Sequence, residues 1–342
     1  MAVPLSADVL SQYERFSLYN SPYVAHDRGC AIDLYPGPET DRAPSPVAGE
    51  VLDTRTVEAP PKPYAAAQDH LILVDCGKHI ARILHVDPAV EPGDRVAVGD
   101  SLGKLVRAGF FAPWVSNHIH LGFRERDANP YRASGSLPIV PEVSIEALAW
   151  NGSGTVTETG ETYAILDSPA HPHPGTFAGI AGSFAPASTA EETTENGGDE
   201  DPDTTTDRPD ASNIHPVVLD GGLPHYDGGA ALPAAESSAP SGLSTDSTPP
   251  DSSDVPSAPA ASETANTPVA SDGRIDFLGT EIGVVSGRDI SWQPVTIRAN
   301  DRPITGLSLF CAQNRDFGVK LVCPDTAFER GEDVTVSIHS YQ

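Results

Sequence analysis

The chain has 342 residues, with 33 prolines and 30 glycines, 48 acidic against 21 basic residues and a formal net charge of -27. That balance argues against nucleic acid and anionic membranes as partners, and four cysteines in a chain this long make no disulfide framework. The opening MAVPLSADVLSQYERF has no basic start followed by an apolar run, and no window approaches membrane-spanning length, so a cytoplasmic protein without a membrane span is expected.

Residues 1–20 read as an N-terminal extension. From about Ser21 to Arg124, inside a domain expected over 21–140, short apolar runs alternate with turn clusters and helical periodicity is nearly absent. HLILVDC (His70 to Cys76) and HIARILHV (His79 to Val86) form a predicted hairpin split by Gly77-Lys78. The turn-rich EPGDRVAVGDSLGKLV follows, and then SNHIHLGFR, Ser116 to Arg124. Beyond it, 141–182 holds strand candidates in GTVTETG and ETYAILDS, and 214–232 reads as a short ordered island. The segment 273–342 reads as a β domain, either a small sandwich or a sheet completing an earlier one. The intervening tracts, 183–213 and 233–272, are acidic, rich in Ser, Thr and Pro, and too poor in apolar residues to offset their ordering entropy; they are expected to be disordered linkers. Cys311 and Cys323 flank a possible hairpin, and free buried thiols are expected there.

The fold class expected is therefore all-β, and the residues that raise a question of chemistry are histidines. In an extended chain His118 and His120 share one face while Ile119, Leu121 and Phe123 share the other. His26 and Asp33 in AHDRGCAIDLYP and His85 in ARILHVDP are the other candidates. A metal centre that hydrolyses an amide needs a few nitrogen or oxygen ligands, an open position for water and nearby bases. His85 follows Ile83 on one strand face, which also fits a core histidine. His70 and His79 read as surface residues, and His171 and His173 in AHPHP as part of a Pro-rich loop.

The order of these segments resembles a known family. Ser45-Pro46-Val47-Ala48-Gly49-Glu50-Val51 is similar to its Ala-Pro-x-x-Gly-x-Val turn, ILHVDP to its Tyr-Ala-His-Leu strand, VEPGDRVAVGDSLG to its Val-x-x-Gly-Asp turn, and NHIHLGFR to its Pro-His-Leu-His-Phe-Glu strand. The family is the M23 or LytM-like (lysostaphin-type) zinc metallopeptidases, and the resemblance covers about a third of the chain. It implies a LytM-like antiparallel β-sheet domain of the duplicated-hybrid-motif type, with a groove, a bound Zn2+ and a peptide or protein substrate. It also implies that Asp33 and His120 ligate zinc while His85 and His118 orient water or stabilise an oxyanion. Scarce lysine and surplus carboxylate further resemble the composition of proteins from a halophilic archaeon.

The chain departs from the family at Gly29, which stands at the first-ligand position four residues before Asp33. His26 or Cys30 can replace it only if the backbone bulges, because period-two geometry puts both on the face opposite Asp33; His26 is taken as the third ligand. The competing reading is a catalytically inactive LytM-like peptide-binding or scaffolding module. A lipoyl-type carrier, to which VEPGDRVAVGDSLGKL is also similar, needs a lysine at a hairpin tip, and Lys78 and Lys104 lack the flanking pattern.

Overall fold

The hairpin around Gly77-Lys78 lies within the first sheet. The computed structural model describes residues 1–187, 214–235, 272–314 and 317–341. Six strands, with the short Arg95–Val96 paired to Gly49 and Glu50 at one edge, build the sheet: β1 (Arg15–Ser17), β2 (Ala31–Tyr35), β3 (Gly49–Glu58), β4 (Gln68–Asp75), β5 (His79–Leu84) and β6 (Ile119–Glu125). Their spatial order is β1-β2-β6-β5-β4-β3, antiparallel throughout. Gly77 turns β4 into β5 at φ +83°, a conformation that glycine adopts without steric cost.

The two faces of β6 differ as the alternation predicts. Ile119, Leu121 and Phe123 pack with Ile32 and Leu34 of β2, Ala81 and Ile83 of β5 and Ile72 and Val74 of β4. Each of the Val, Ile, Leu and Phe side chains among them contributes about 1.5–3 kcal/mol by leaving water. The other face carries His120, Gly122 and Arg124, of which His120 lines a groove.

Residues 1–20, set apart as an extension in the sequence, are built into the structure. Val3–Ser6 pairs in parallel with Ile139–Glu142, and β1 pairs with β2 on one side and with Cys311–Ala312 on the other. Through β1 the first sheet joins the C-terminal half. There β7 (Phe177–Pro186), β8 (His215–Leu223), β9 (Gly228–Pro233), β10 (Gly273–Phe277), β11 (Thr280–Ser286) and β12 (Asp289–Trp292) pair in the cyclic order β7-β8-β9-β12-β11-β10 and back to β7. This is a closed antiparallel barrel, and closure removes the exposed sheet edges an open array would leave. A flanking run of strands, Ser153–Thr159, Tyr163–Leu166, Lys320–Val322 and Gly306–Leu309, continues onto β8.

Segments 141–182, 214–232 and 273–342, separated in the sequence, thus share these sheets, and the last completes strands begun earlier. Of the two acidic tracts, Ser183–Pro186 belongs to β7 and Pro233 to β9; 188–213 and 236–271 lie outside the described residues. Cys311 and Cys323 are buried and free. No helix among the described residues is long and apolar enough to cross a membrane.

Candidate metal centre

Sheet register brings the first pair together. Asp33 in the middle of β2 stands directly opposite His120 in β6, and directly opposed residues point to the same face with Cβ atoms about 4.5–5.5 Å apart. His120 Nδ1 lies 3.1 Å from Asp33 Oδ1. His118, two residues earlier, shares that face, and its Nε2 is 3.4 Å from the same oxygen.

His26 arrives by the irregular backbone that the sequence required of it. Val24–Gly29 is a 3₁₀ segment broken by Asp27 in an extended conformation and by Arg28 and Gly29 at φ 56° and 61°. Two successive left-handed residues reverse the chain, and so His26 faces Asp33. Gly29 supplies this reversal rather than a ligand. A Cβ there would collide with the Arg288 guanidinium, which donates hydrogen bonds to Arg28 O (2.9 Å) and Gly29 O (3.3 Å) and fixes the turn.

His26 Nδ1–H donates to Leu18 O at 2.8 Å, leaving Nε2 as the free lone pair. That Nε2 lies 3.1 Å from His120 Nδ1 and 3.4 Å from Asp33 Oδ1. Zinc bonds of about 2.0–2.2 Å at tetrahedral angles place donor atoms roughly 3.4 Å apart. The three separations fit an ion at their centre, and the three residues form a group able to hold a metal. Two imidazole nitrogens facing each other across 3.1 Å without a shared cation or proton would repel, a further sign that the cluster suits a cation. Cys30, the other substitute considered, lies outside the group, and burial pushes its thiol up, away from the thiolate a metal would need.

The electrostatics follow from burial against mutual attraction. Burial alone would raise the Asp33 carboxyl, but the charges of His118 and His26 and hydrogen bonds from His118 and His120 outweigh it and hold Asp33 well below the usual carboxylate range. Burial lowers His26, yet Asp33 and the Leu18 carbonyl more than compensate and raise it. For His120 burial prevails, with a pKa near about 3, so this imidazole stays neutral and ready to ligate.

His85 closes the constellation. It sits just past β5 at φ 70°, and this reversal takes it off the core face of Ile83 and into the groove cavity. Its Nδ1–H donates to Asp69 Oδ2 at 2.6 Å, and Nε2 has no protein partner among the described residues. The His118 ring stacks on Phe111 at 4.3 Å between centroids, and its Nδ1–H donates to Ser116 O at 2.9 Å. The cavity holds about 250 Å³ and is walled by Tyr23, Val24, Leu71, Phe110, Phe111 and Tyr131 beside the histidines.

Sequence reasoning missed two supporting acids. Asp69 is fully buried against His85, and Asp220 of β8, also fully buried, accepts from Ser17 Oγ (2.5 Å) and Leu18 N (2.6 Å). The signal for Asp220 was a lone acid within the apolar strand VVLDGGL. The Pro-rich His171-x-His173 loop brings no ligand: His171 is buried rather than exposed, its Nε2–H donates to Thr176 O and its Nδ1 accepts from His173 N. His70 and His79, read as surface residues, are half-buried and stand apart from the group.

Fold and site together define an all-β protein with a buried His-Asp-His group able to hold a metal ion. The chain belongs to the family described as a domain of unknown function (DUF8155): the N-terminal domain matches residues 4–141 and the C-terminal domain residues 146–339. No curated protein matches the sequence. Among solved structures it is similar to the NMR solution structure of lysostaphin, at 14% identity and a TM-score of 0.22, over 52% of this chain and 66% of that one. The chain thus spans just under two thirds of that chain's length, and the likeness is too slight to define a shared fold.

Proposed function

We propose that the chain is a zinc-dependent hydrolase of peptide bonds, with His26, Asp33 and His120 as the metal ligands. The observation that carries this reading is the convergence of His26 Nε2, His120 Nδ1 and Asp33 Oδ1 within 3.1–3.4 Å of one another. The order of the sequence motifs around Ser45, His85 and His118 supports it. A zinc ion, when bound, activates a water molecule and polarises the carbonyl to be attacked. Asp33 contributes the negative charge that balances the ion, and the Leu18 carbonyl keeps the His26 lone pair turned toward it.

His118 and His85 act beside the metal rather than on it. Each has its Nδ1–H held by a protein acceptor, which leaves His85 Nε2 facing the cavity and turns His118 Nε2 toward Asp33 Oδ1, 3.4 Å away, beside the metal ligands. His118 Nε2 takes a proton from the attacking water and passes it to the leaving amine. His85, which burial holds below its ordinary pKa and Asp69 fixes in the Nδ1–H form, accepts through Nε2 from the attacking water and orients it. Tyr23, Phe110 and Phe111 keep bulk water from the reacting bond.

The test is hydrolysis of a peptide library by the zinc-loaded chain, beside His118→Ala, His85→Ala and Asp69→Asn. Turnover in the first two is expected to fall by about 100-fold or more with zinc content unchanged. Undiminished turnover in both, or no peptide cleaved by the unmutated zinc protein, would remove the peptidase reading.

A further inference from the structure

Beyond the histidines, the sheet face that carries them holds two cations without counter-charges. Arg82 of β5 stands directly opposite Gly122 of β6, so the two share a face, and Arg124 and His120 flank Gly122 on that same face by alternation. Arg82 and Arg124 are therefore diagonal neighbours: Arg82 lines the cavity that holds the metal ligands, and Arg124 is buried beside it, outside the cavity lining. Both are buried, at 4% and 1% exposure, in a chain whose net charge is -27. The arginine ion pairs among the described residues involve Arg55, Arg95, Arg126, Arg274 and Arg302, and neither of these two.

Each guanidinium uses one nitrogen to hold the loop that follows β6. Arg82 Nε donates to Pro130 O at 2.5 Å and Arg124 Nη2 to Arg132 O at 2.6 Å. The remaining donors are left over. Arg124 Nε and Nη1 and the neighbouring Ser136 Oγ are buried with no hydrogen-bond partner, and the terminal nitrogens of Arg82 have none among the described residues, while its side chain lines the same cavity as His26, Asp33 and His120. A buried guanidinium with open donors and no carboxylate is costly to keep, and a planar anion of the substrate is the group that satisfies it, by the paired hydrogen bonds a guanidinium makes to a carboxylate.

We infer that Arg82, with the Arg124 charge buried behind it, forms an anion subsite of the groove and selects peptides that carry a carboxylate about two residues from the bond at the metal centre. The spacing follows from the strand: Gly122 lies two residues from His120, a rise of about 6.5–7 Å, which an extended peptide also covers in two residues. The carboxylate is either an acidic side chain or a chain terminus. This inference rests on the groove being a peptide site, as proposed above, but needs no metal.

Calorimetric titration of the full chain, zinc-loaded and chelated, with three acetylated tripeptides tests it. The probes are Gly-Gly-Glu-amide, Gly-Gly-Gln-amide, and Gly-Gly-Gln with a free terminal carboxylate. One or both carboxylate peptides are expected to bind at least about tenfold more tightly than the neutral one, in the chelated protein as well, and which of them does so identifies the source of the anion. In Arg82→Gln, which keeps a donor for Pro130 O, and in Arg82→Gln/Arg124→Gln with an unchanged circular dichroism spectrum, the preference is expected to shrink to about twofold or less. Equal binding of all three peptides, or a preference that survives in the single variant when the double variant fails to fold, overturns the inference. Loss of zinc binding with the carboxylate preference intact would remove the metal reading and leave this one standing.

Discussion

Asp33 is the residue on which the site turns. Three imidazoles converge on its Oδ1, at 3.1, 3.4 and 3.4 Å, and together they hold its carboxyl well below its ordinary value despite complete burial. A carboxylate depressed in the folded state stabilises fully above its unfolded pKa of about 3.9 and loses that contribution as pH falls through the folded value. In the chelated chain, Asp33→Asn should therefore lower the melting temperature most above about pH 4, and the deficit should narrow on acidification; a deficit constant from pH 7 to pH 3 would contradict it. Zinc affinity has the opposite origin but the same direction. His26, raised above about 6.5, must lose its proton to ligate, so competition against a chelator should show affinity falling about tenfold for each pH unit below that value. A flat profile between pH 7.5 and 5.5 would exclude His26 as a ligand.

At the scale of elements, the His26 turn is held by the C-terminal half. Asp220 of β8 fixes Leu18, whose carbonyl orients His26, and Arg288, between β11 and β12, binds the Arg28 and Gly29 carbonyls. Asp220→Ala leaves the buried Ser17 hydroxyl and Leu18 amide without their acceptor, a cost of about 1–3 kcal/mol in stability. Its zinc affinity is expected to drop about 10- to 100-fold, as when the partner that orients a ligand is removed. Arg288→Ala should weaken zinc similarly, and wild-type affinity in both variants would show that the turn needs no outside support. This dependence explains what the sequence showed of His26 and what it did not. Read as a strand, AHDRGCAID puts His26 on the wrong face of Asp33. The reversal at Arg28-Gly29 is stabilised by a guanidinium 260 positions away from Arg28, which no local pattern announces.

Across the molecule, what depended on short-range pattern was legible and what depended on closure was not. The β4–β5 hairpin, the two faces of β6 and the pairing of His118 with His120 follow from alternation and from Gly77. The barrel does not, because β7 meets β10 and β9 meets β12 across long intervals of sequence. Nor was the role of residues 1–20 visible, since β1 is only three residues long and is stabilised by neighbours from both halves. His85 was ambiguous for a related reason: its φ of 70° breaks the alternation that would have made it a core residue.

Metal content of the full chain, purified without a metal-affinity tag and dialysed against zinc, tests the central claim most directly, measured beside His26→Ala, Asp33→Ala and His120→Ala. Near one zinc per chain, lost in all three variants while each stays folded, is the result this structure predicts. A folded unmutated chain that takes up no zinc, or a His26→Ala variant that keeps it in full, would contradict the metal centre.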